Sequence, residues 1–196
     1  MLELLSHLFA SVCGQQPDHT WAPGGMLLPL CQRCTGLYTG AAVAAFLHVF
    51  APPKFTSRWL ELHGAFLLLM VPFGFHWIPQ GPALRTVTGV LFGFGVLMFL
   101  RMPLSFGSGA TGLFPGDPTA CRCKPRVYLA VLTLAGGALP WLGQYGGALA
   151  SYVLLTLCGV GALALAALIL TDIAIGTAGA IRMVVRLIRT WTKAEN

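Results

Sequence analysis

The sequence predicts an all-α integral membrane protein, a bundle of about five transmembrane helices with a small external N-terminal cap and a C-terminal basic amphipathic helix. Three observations lead to this class: 56% of the 196 residues are hydrophobic, only 9% are charged, and the apolar residues fall in long runs. A soluble domain usually carries about 25% charged residues, so these few charges could not cover the apolar surface in water. The composition therefore excludes an ordinary water-soluble enzyme.

Five apolar segments are expected to cross the bilayer, which takes roughly 17 to 25 helical residues. They are residues 34–51, 60–78, 84–102, 127–142 and 148–170, and Pro and Gly punctuate the joins between them. The fourth segment is the shortest and contains Pro140. A kinked or re-entrant segment is therefore the alternative there.

The loop charges predict the orientation, because basic loops stay cytoplasmic during insertion. Only Arg33 and Arg85 fall on the side of the N-terminus, and the other ten of the 12 basic residues fall on the opposite side. We therefore expect an external cap at residues 1–33, a five-span bundle at residues 34–170 and a cytoplasmic tail at residues 171–196. The N-terminus would lie outside and the C-terminus inside.

Both ends of the chain are predicted to meet the membrane surface. Residues 1–13 form an apolar stretch without Lys or Arg, which favours an interfacial helix over a cleaved signal. In the tail, spacings of 4, 3 and 4 residues place four basic residues on one helical face: Arg182, Arg186, Arg189 and Lys193. That face suits the anionic lipids of the inner leaflet, while the simpler interpretation is a stop-transfer anchor. No nucleic-acid partner is expected, since the basic residues do not interleave with exposed aromatics.

Small residues at helical spacing predict where the spans pack. Gly36 and Gly40 lie four residues apart in the first span, and Gly89 and Gly93 do so in the third. Such pairs let helix backbones approach closely. The simplest function of these glycines is tight packing of the bundle.

The predicted topology divides the six cysteines into sets that cannot meet. Cys121 and Cys123 lie in the cytoplasmic loop and Cys158 lies within the fifth span, which leaves Cys13, Cys31 and Cys34 on the external side. About 30 Å of hydrocarbon separates the two faces. Any site of several thiols is therefore expected outside, from Cys13, Cys31 and Cys34.

Cys31 and Cys34 form a Cys-x-x-Cys motif at the start of the first span. This spacing can hold one metal ion or close a strained, easily reduced disulfide, and the helix dipole together with Arg33 is expected to lower the thiol pKa. Zinc requires four ligands, so three thiolates leave one position to fill. Among the external histidines we favour His76, which would tie the second span to the cap, and His19 is the alternative fourth ligand.

Two blocks of the sequence resemble a known family. They are Cys13-Gly-Gln-Gln-Pro-Asp-His-Thr-Trp21 and Pro29-Leu-Cys31-Gln-Arg-Cys34-Thr-Gly-Leu-Tyr38, and a later Gln80, Arg85, Thr88 and Gly89 fit the same pattern. They are similar to the prokaryotic multi-span membrane family catalogued as domain of unknown function 2085. The resemblance implies a multi-span fold in a prokaryotic cell membrane and an external cysteine cluster, and it brings no established reaction.

Two positions depart from the family pattern. Gly14 stands where the family usually has His, and His76 stands where an acidic residue would be. A ligand that has moved from one position to the other would produce this exchange. Drift in an abandoned site would produce it equally well.

Three functions follow as hypotheses. The leading one is a membrane scaffold or accessory subunit, with other subunits of a membrane complex as its partners, whose external cysteine site holds zinc or a similar metal. The alternative is a membrane thiol–disulfide or quinone-linked oxidoreductase that uses Cys31, Cys34 and Cys13. The third is a lipid or small-solute carrier. Whether the protein is an enzyme stays open at this stage.

Overall fold

The chain folds into long helices. The computed structural model describes residues 7, 9–51, 53, 56–75, 77–107 and 124–194, and only the backbone of the helical residues 103–107 and 186–194. Over this part of the chain there are five long helices and no strands. They are α1 (Gln32–Phe50), α2 (Ser57–Gly74), α3 (Pro82–Gly107), α4 (Pro125–Tyr145) and α5 (Ala148–Ala194). The predicted all-α class is confirmed.

Three stretches of these helices are long and apolar enough to cross a membrane. They are Pro82–Met102, Pro125–Tyr145 and Ala148–Val185. The helix α1 coincides with the first predicted segment but buries polar and small residues, among them Thr35 and Thr39, inside the protein. The fourth predicted segment had a kinked or re-entrant segment as its alternative. In the structure it lies in α4, a single helix of 21 residues that includes Pro140.

The last helix continues past the predicted end of the bundle at residue 170. It spans 47 residues, from Ala148 to Ala194, as one element. This continuity has a simple cause, because the segment contains no proline, and its interior glycines each cost only about 1 kcal/mol of helix stability. From Ile173 to Val185 every side chain is exposed. As far as Ala194, the predicted tail therefore continues α5, and its residues Ile173 to Val185 lie outside the packed part of the bundle.

The backbones of helices α1 and α3 approach each other closely along an extended contact. A Cβ atom added at Gly36 or Gly40 of α1, or at Gly89 or Gly93 of α3, would overlap backbone atoms of the facing helix. The two pairs of glycines therefore lie against each other, and the predicted close packing is confirmed.

The segment before α1 packs on one end of the bundle. Trp21 is buried, and its Nε1–H donates a hydrogen bond of 2.9 Å to Oγ1 of Thr86 in α3. The Trp21 ring also lies against Gly143 of α4. The hydroxyl of Ser151 in α5 donates to the Pro23 carbonyl oxygen at 2.7 Å. The cap is thus held by three helices, at the N-terminal ends of α3 and α5 and the C-terminal end of α4.

A buried aromatic contact joins α2 and α4 near the other end. Tyr128 and His63 are both fully buried, and the Tyr128 hydroxyl lies 2.7 Å from Nε2 of His63. The second ring nitrogen, Nδ1, lies 2.7 Å from the Trp59 carbonyl oxygen. Because a carbonyl only accepts hydrogen bonds, Nδ1 carries the proton and Nε2 accepts from the tyrosine. Both ring nitrogens of His63 are therefore used in hydrogen bonds inside the bundle.

Because α1 and α3 lie so close together, we expect a methyl group added at one of their contact glycines to lower the stability of the protein. We expect Gly89→Ala to lower the free energy of unfolding by about 1–3 kcal/mol, because its Cβ would overlap the backbone of α1. Thermal unfolding of the detergent-solubilised protein measures this. Gly159→Ala is the matched control, since nothing lies within 4 Å of its added Cβ. Equal stability of the two variants would contradict the close contact.

Candidate metal centre

Three cysteine side chains converge where the cap meets the start of α1. The Sγ atoms of Cys13, Cys31 and Cys34 all lie within 4.8 Å of one another. All three are free thiols, with Cys13 buried and the other two partly buried. The three cysteines that the sequence placed in one site are therefore neighbours in space. Their binding of a metal stays a prediction.

The start of α1 positions two of the three thiols. Cys31 is the N-cap residue, with extended backbone, and its carbonyl accepts the N–H of Thr35 at 2.8 Å. Cys34 follows within the first turn, so the Cys-x-x-Cys spacing brings both side chains to the same helix end. The positive end of the helix dipole lies there, and it favours thiolates and other anions.

The cap brings the third thiol to this helix end. The Cys31 backbone N–H donates to the Sγ atom of Cys13 at 3.3 Å. The side chain of Gln15 donates to the Pro29 carbonyl oxygen at 2.9 Å, and an antiparallel bridge pairs Thr20 with Cys31. These contacts fold residues 13–31 back on themselves. Cys13 and Cys31 therefore come into contact although they are 18 positions apart in the sequence.

Hydrogen bonds within the cluster favour one thiolate. The side chains of Cys31 first and Cys34 second donate to Cys13 and lower its pKa well below the usual value, while burial acts in the opposite direction. The neighbouring thiols are therefore the main cause of the shift. The expected contribution of Arg33 is not among these causes.

Arg33 instead joins the cap end of α1 to the end of α2. Its Nη2 donates to the Phe73 carbonyl oxygen at 2.8 Å and to Oε1 of Gln80 at 3.3 Å. Gln80 also donates to the Phe73 carbonyl, at 2.8 Å. Arg85 lies close by and donates from Nη1 to Oε1 of Gln32 at 3.5 Å. The polar residues of the separate sequence blocks therefore meet beside the cysteines.

The sulfur atoms lie close enough together to bind one metal ion. Tetrahedral zinc with Zn–S bonds of about 2.3 Å places its sulfur ligands about 3.8 Å apart. No Sγ–Sγ distance in the cluster exceeds 4.8 Å, whereas a disulfide needs about 2.05 Å. Three thiols converging from two chain segments can thus hold one soft divalent ion, or pair by oxidation with a larger movement.

The histidines are placed differently from the cysteines. His19 is partly buried and lines a cavity beside Cys31, but it is not part of the three-sulfur group. His76 lies outside the described residues, as do Cys121 and Cys123. The fourth ligand therefore stays a prediction.

Sequence reasoning missed one neighbour of the cluster, Cys158 of α5. Its side chain is buried and packs with Phe9, Cys13 and Leu30. Its thiol lies 3.8 Å from the Thr35 carbonyl oxygen. The helical spacing of Cys158, Gly161 and Leu165 places them on one face of α5, but only the structure shows that this face is buried against α1.

Comparisons with known proteins agree with this architecture. A family described as "Predicted membrane protein (DUF2085)" matches residues 13–99, a range that begins at the first cysteine of the cluster. The chain is also 31% identical over 102 residues to an uncharacterized protein of Methanothermobacter thermautotrophicus. That alignment covers 48% of this chain and 88% of the relative. No solved structure matches the chain.

Proposed function

The chain belongs to the DUF2085 family of predicted membrane proteins, and on that premise we propose that it is a membrane scaffold or accessory subunit with a metal-stabilised cap. Cys13, Cys31 and Cys34 would hold zinc or a similar metal. The observation that carries this proposal is the convergence of three free thiols within 4.8 Å. Thiolates are preferred ligands of zinc, and a helix end that favours anions helps to ionise them.

A metal at this position would fasten the cap to the bundle. Cys13 lies early in the cap, whereas Cys31 is the N-cap residue of α1 and Cys34 lies in the first turn of this helix. The bound ion would add to the hydrogen bonds that Trp21 and Ser151 already make between cap and helices. A rigid cap gives a small membrane protein a defined surface for partner subunits. The loop charges favour an external position for this surface.

Metal content tests the proposal directly. We expect the protein, purified without chelators, to contain about one zinc ion per chain and Cys31→Ser to lose most of it, because two thiolates bind zinc more weakly than three. Elemental analysis against protein concentration measures both. Cys158→Ser is the matched control, since Cys158 lies next to the cluster but outside the three-sulfur group.

Two results would contradict the metal site. One is unmutated protein without stoichiometric metal even after incubation with zinc. The other is equal loss of metal in Cys31→Ser and Cys158→Ser, which would indicate general damage to the fold. Unfolding temperatures of the two variants separate loss of the ligand from loss of structure.

A second function is favoured by the lowered pKa of Cys13 beside a Cys-x-x-Cys motif. In a membrane oxidoreductase, oxidation of Cys31 and Cys34 to a disulfide would form one S–S bond and release two protons and two electrons. A quinone in the bilayer would accept them and become a quinol. A neighbouring thiolate at Cys13 could then open the disulfide by exchange.

Thiol trapping under controlled redox potential tests this second function. We expect one pair of thiols to cycle reversibly between about −270 and −120 mV, the range of thioredoxin-like and more oxidising proteins. Alkylation followed by mass spectrometry measures the fraction oxidised. Thiols that remain reduced over this whole range would remove the oxidoreductase hypothesis and leave the metal site standing.

The exposed extension of α5 is proposed to contact anionic lipids. We expect residues 173–194 to exchange amide hydrogens more slowly in nanodiscs of anionic lipid than in zwitterionic ones, because Arg182 and the basic residues after it attract anionic headgroups. Hydrogen–deuterium exchange measures this. Replacing Arg182, Arg186, Arg189 and Lys193 by Gln should abolish the difference. Equal exchange of the unmutated protein in both lipids would contradict the contact.

A further inference from the structure

A cavity opens beside the cysteine cluster. It has a volume of about 220 Å³, and its lining includes Cys31, Arg33, Arg85 and His19. One water molecule needs only about 15 Å³ of such space, so there is room for a ligand of several atoms. Of the three clustered cysteines, Cys31 is the one that borders the cavity.

The two arginines make this cavity electropositive. Both are partly buried, and their hydrogen bonds go to neutral oxygens, namely the Phe73 carbonyl and the side chains of Gln80 and Gln32. Among the described residues, no carboxylate pairs with either guanidinium group. The Nε atom of Arg33 is buried and makes no hydrogen bond within the described part of the chain.

Each guanidinium group keeps donors for a ligand. Arginine carries five N–H donors, and the hydrogen bonds above use one terminal nitrogen of each side chain. Planar guanidinium groups bind oxyanions and other small anions well, often through two donors at once. An anion in the cavity would therefore lie beside Cys31 and beside guanidinium groups that have unused donors.

The cluster leaves one coordination position of a tetrahedral metal to be filled. Sites with three protein ligands typically keep the fourth position for water or an external ligand. The thiol of Cys158 is committed to the apolar cluster, where it is 1% exposed. Because Cys31 borders the cavity, an external ligand could reach that position from the cavity.

We infer that a small anion binds in this cavity, held by Arg33 and Arg85, and occupies the fourth coordination position of the metal. The inference rests on the proposed metal site. Charge balance supports it: three thiolates and a divalent cation carry one net negative charge, and a monovalent anion raises it to two. The two guanidinium groups beside Cys31 offset that charge.

Cobalt spectroscopy with thiocyanate tests the inference. The full-length protein is loaded with Co²⁺, whose visible absorption reports the ligands around it, and thiocyanate is titrated in. We expect a saturable spectral change in the unmutated protein. In Arg85→Gln the apparent affinity for thiocyanate should fall at least about tenfold, as for the loss of a charge-assisted hydrogen bond. The bound Co²⁺ should stay unchanged.

Matched variants keep the result interpretable. Arg85→Lys retains the charge and should recover part of the affinity, and Arg58→Gln changes an exposed arginine elsewhere and should have no effect. If the anion and not a histidine fills the fourth position, His19→Ala, His76→Ala and Cys158→Ala should all retain Co²⁺ with the same spectrum. Loss of Co²⁺ or a changed spectrum in any of the three variants would show a protein side chain in the fourth position and overturn the inference.

The remaining outcomes separate this inference from the proposed function. Unmutated protein that binds no Co²⁺ would contradict the metal site and the anion site together. Protein that binds Co²⁺ but shows no thiocyanate effect, or the same affinity in Arg85→Gln, would overturn the anion site alone.

Discussion

The bundle depends on the close approach of the α1 and α3 backbones at two pairs of glycines. Because Gly36 and Gly89 lack side chains, the two helices fix each other's height and rotation. One turn nearer the cap, the same register places Thr86 within 3.3 Å of the Gln32 carbonyl oxygen. Thr86 in turn accepts the hydrogen bond of Trp21. The cap is therefore positioned by a contact inside the bundle.

The same register creates the electrostatic setting of the cysteine cluster. Arg85 belongs to α3 and Cys31 begins α1, so the two helices must hold their relative height for both to border one cavity. The lowered pKa of Cys13 has a different origin, namely hydrogen bonds from the thiols of Cys31 and Cys34. The thiols of Cys31 and Cys34 thus favour ionisation of Cys13, whereas the two arginines add positive charge to the cavity beside the cluster.

Hydropathy and spacing predicted much of this structure because they record local preferences. The sequence was sufficient to predict the five helices, the glycine pairs and the grouping of Cys13 with Cys31 and Cys34. The approach of Cys158 was not foreseen, because it depends on how α5 is rotated against α1. The hydrogen bond from Arg33 to Phe73 was missed for a similar reason, since it joins residues 40 positions apart. Such contacts follow from packing of whole helices, which a pattern within one segment does not encode.

The helix α5 connects two distant parts of the protein as one mechanical element. Ser151 fastens it to the cap, and its exposed extension reaches at least to Val185. At 1.5 Å of rise per residue these two points are about 50 Å apart along the helix axis. A tilt of about 10° at the cap would therefore carry the far end sideways by about 9 Å. As a single unbroken helix, α5 would convert a small tilt at the cap into a larger displacement at its far end.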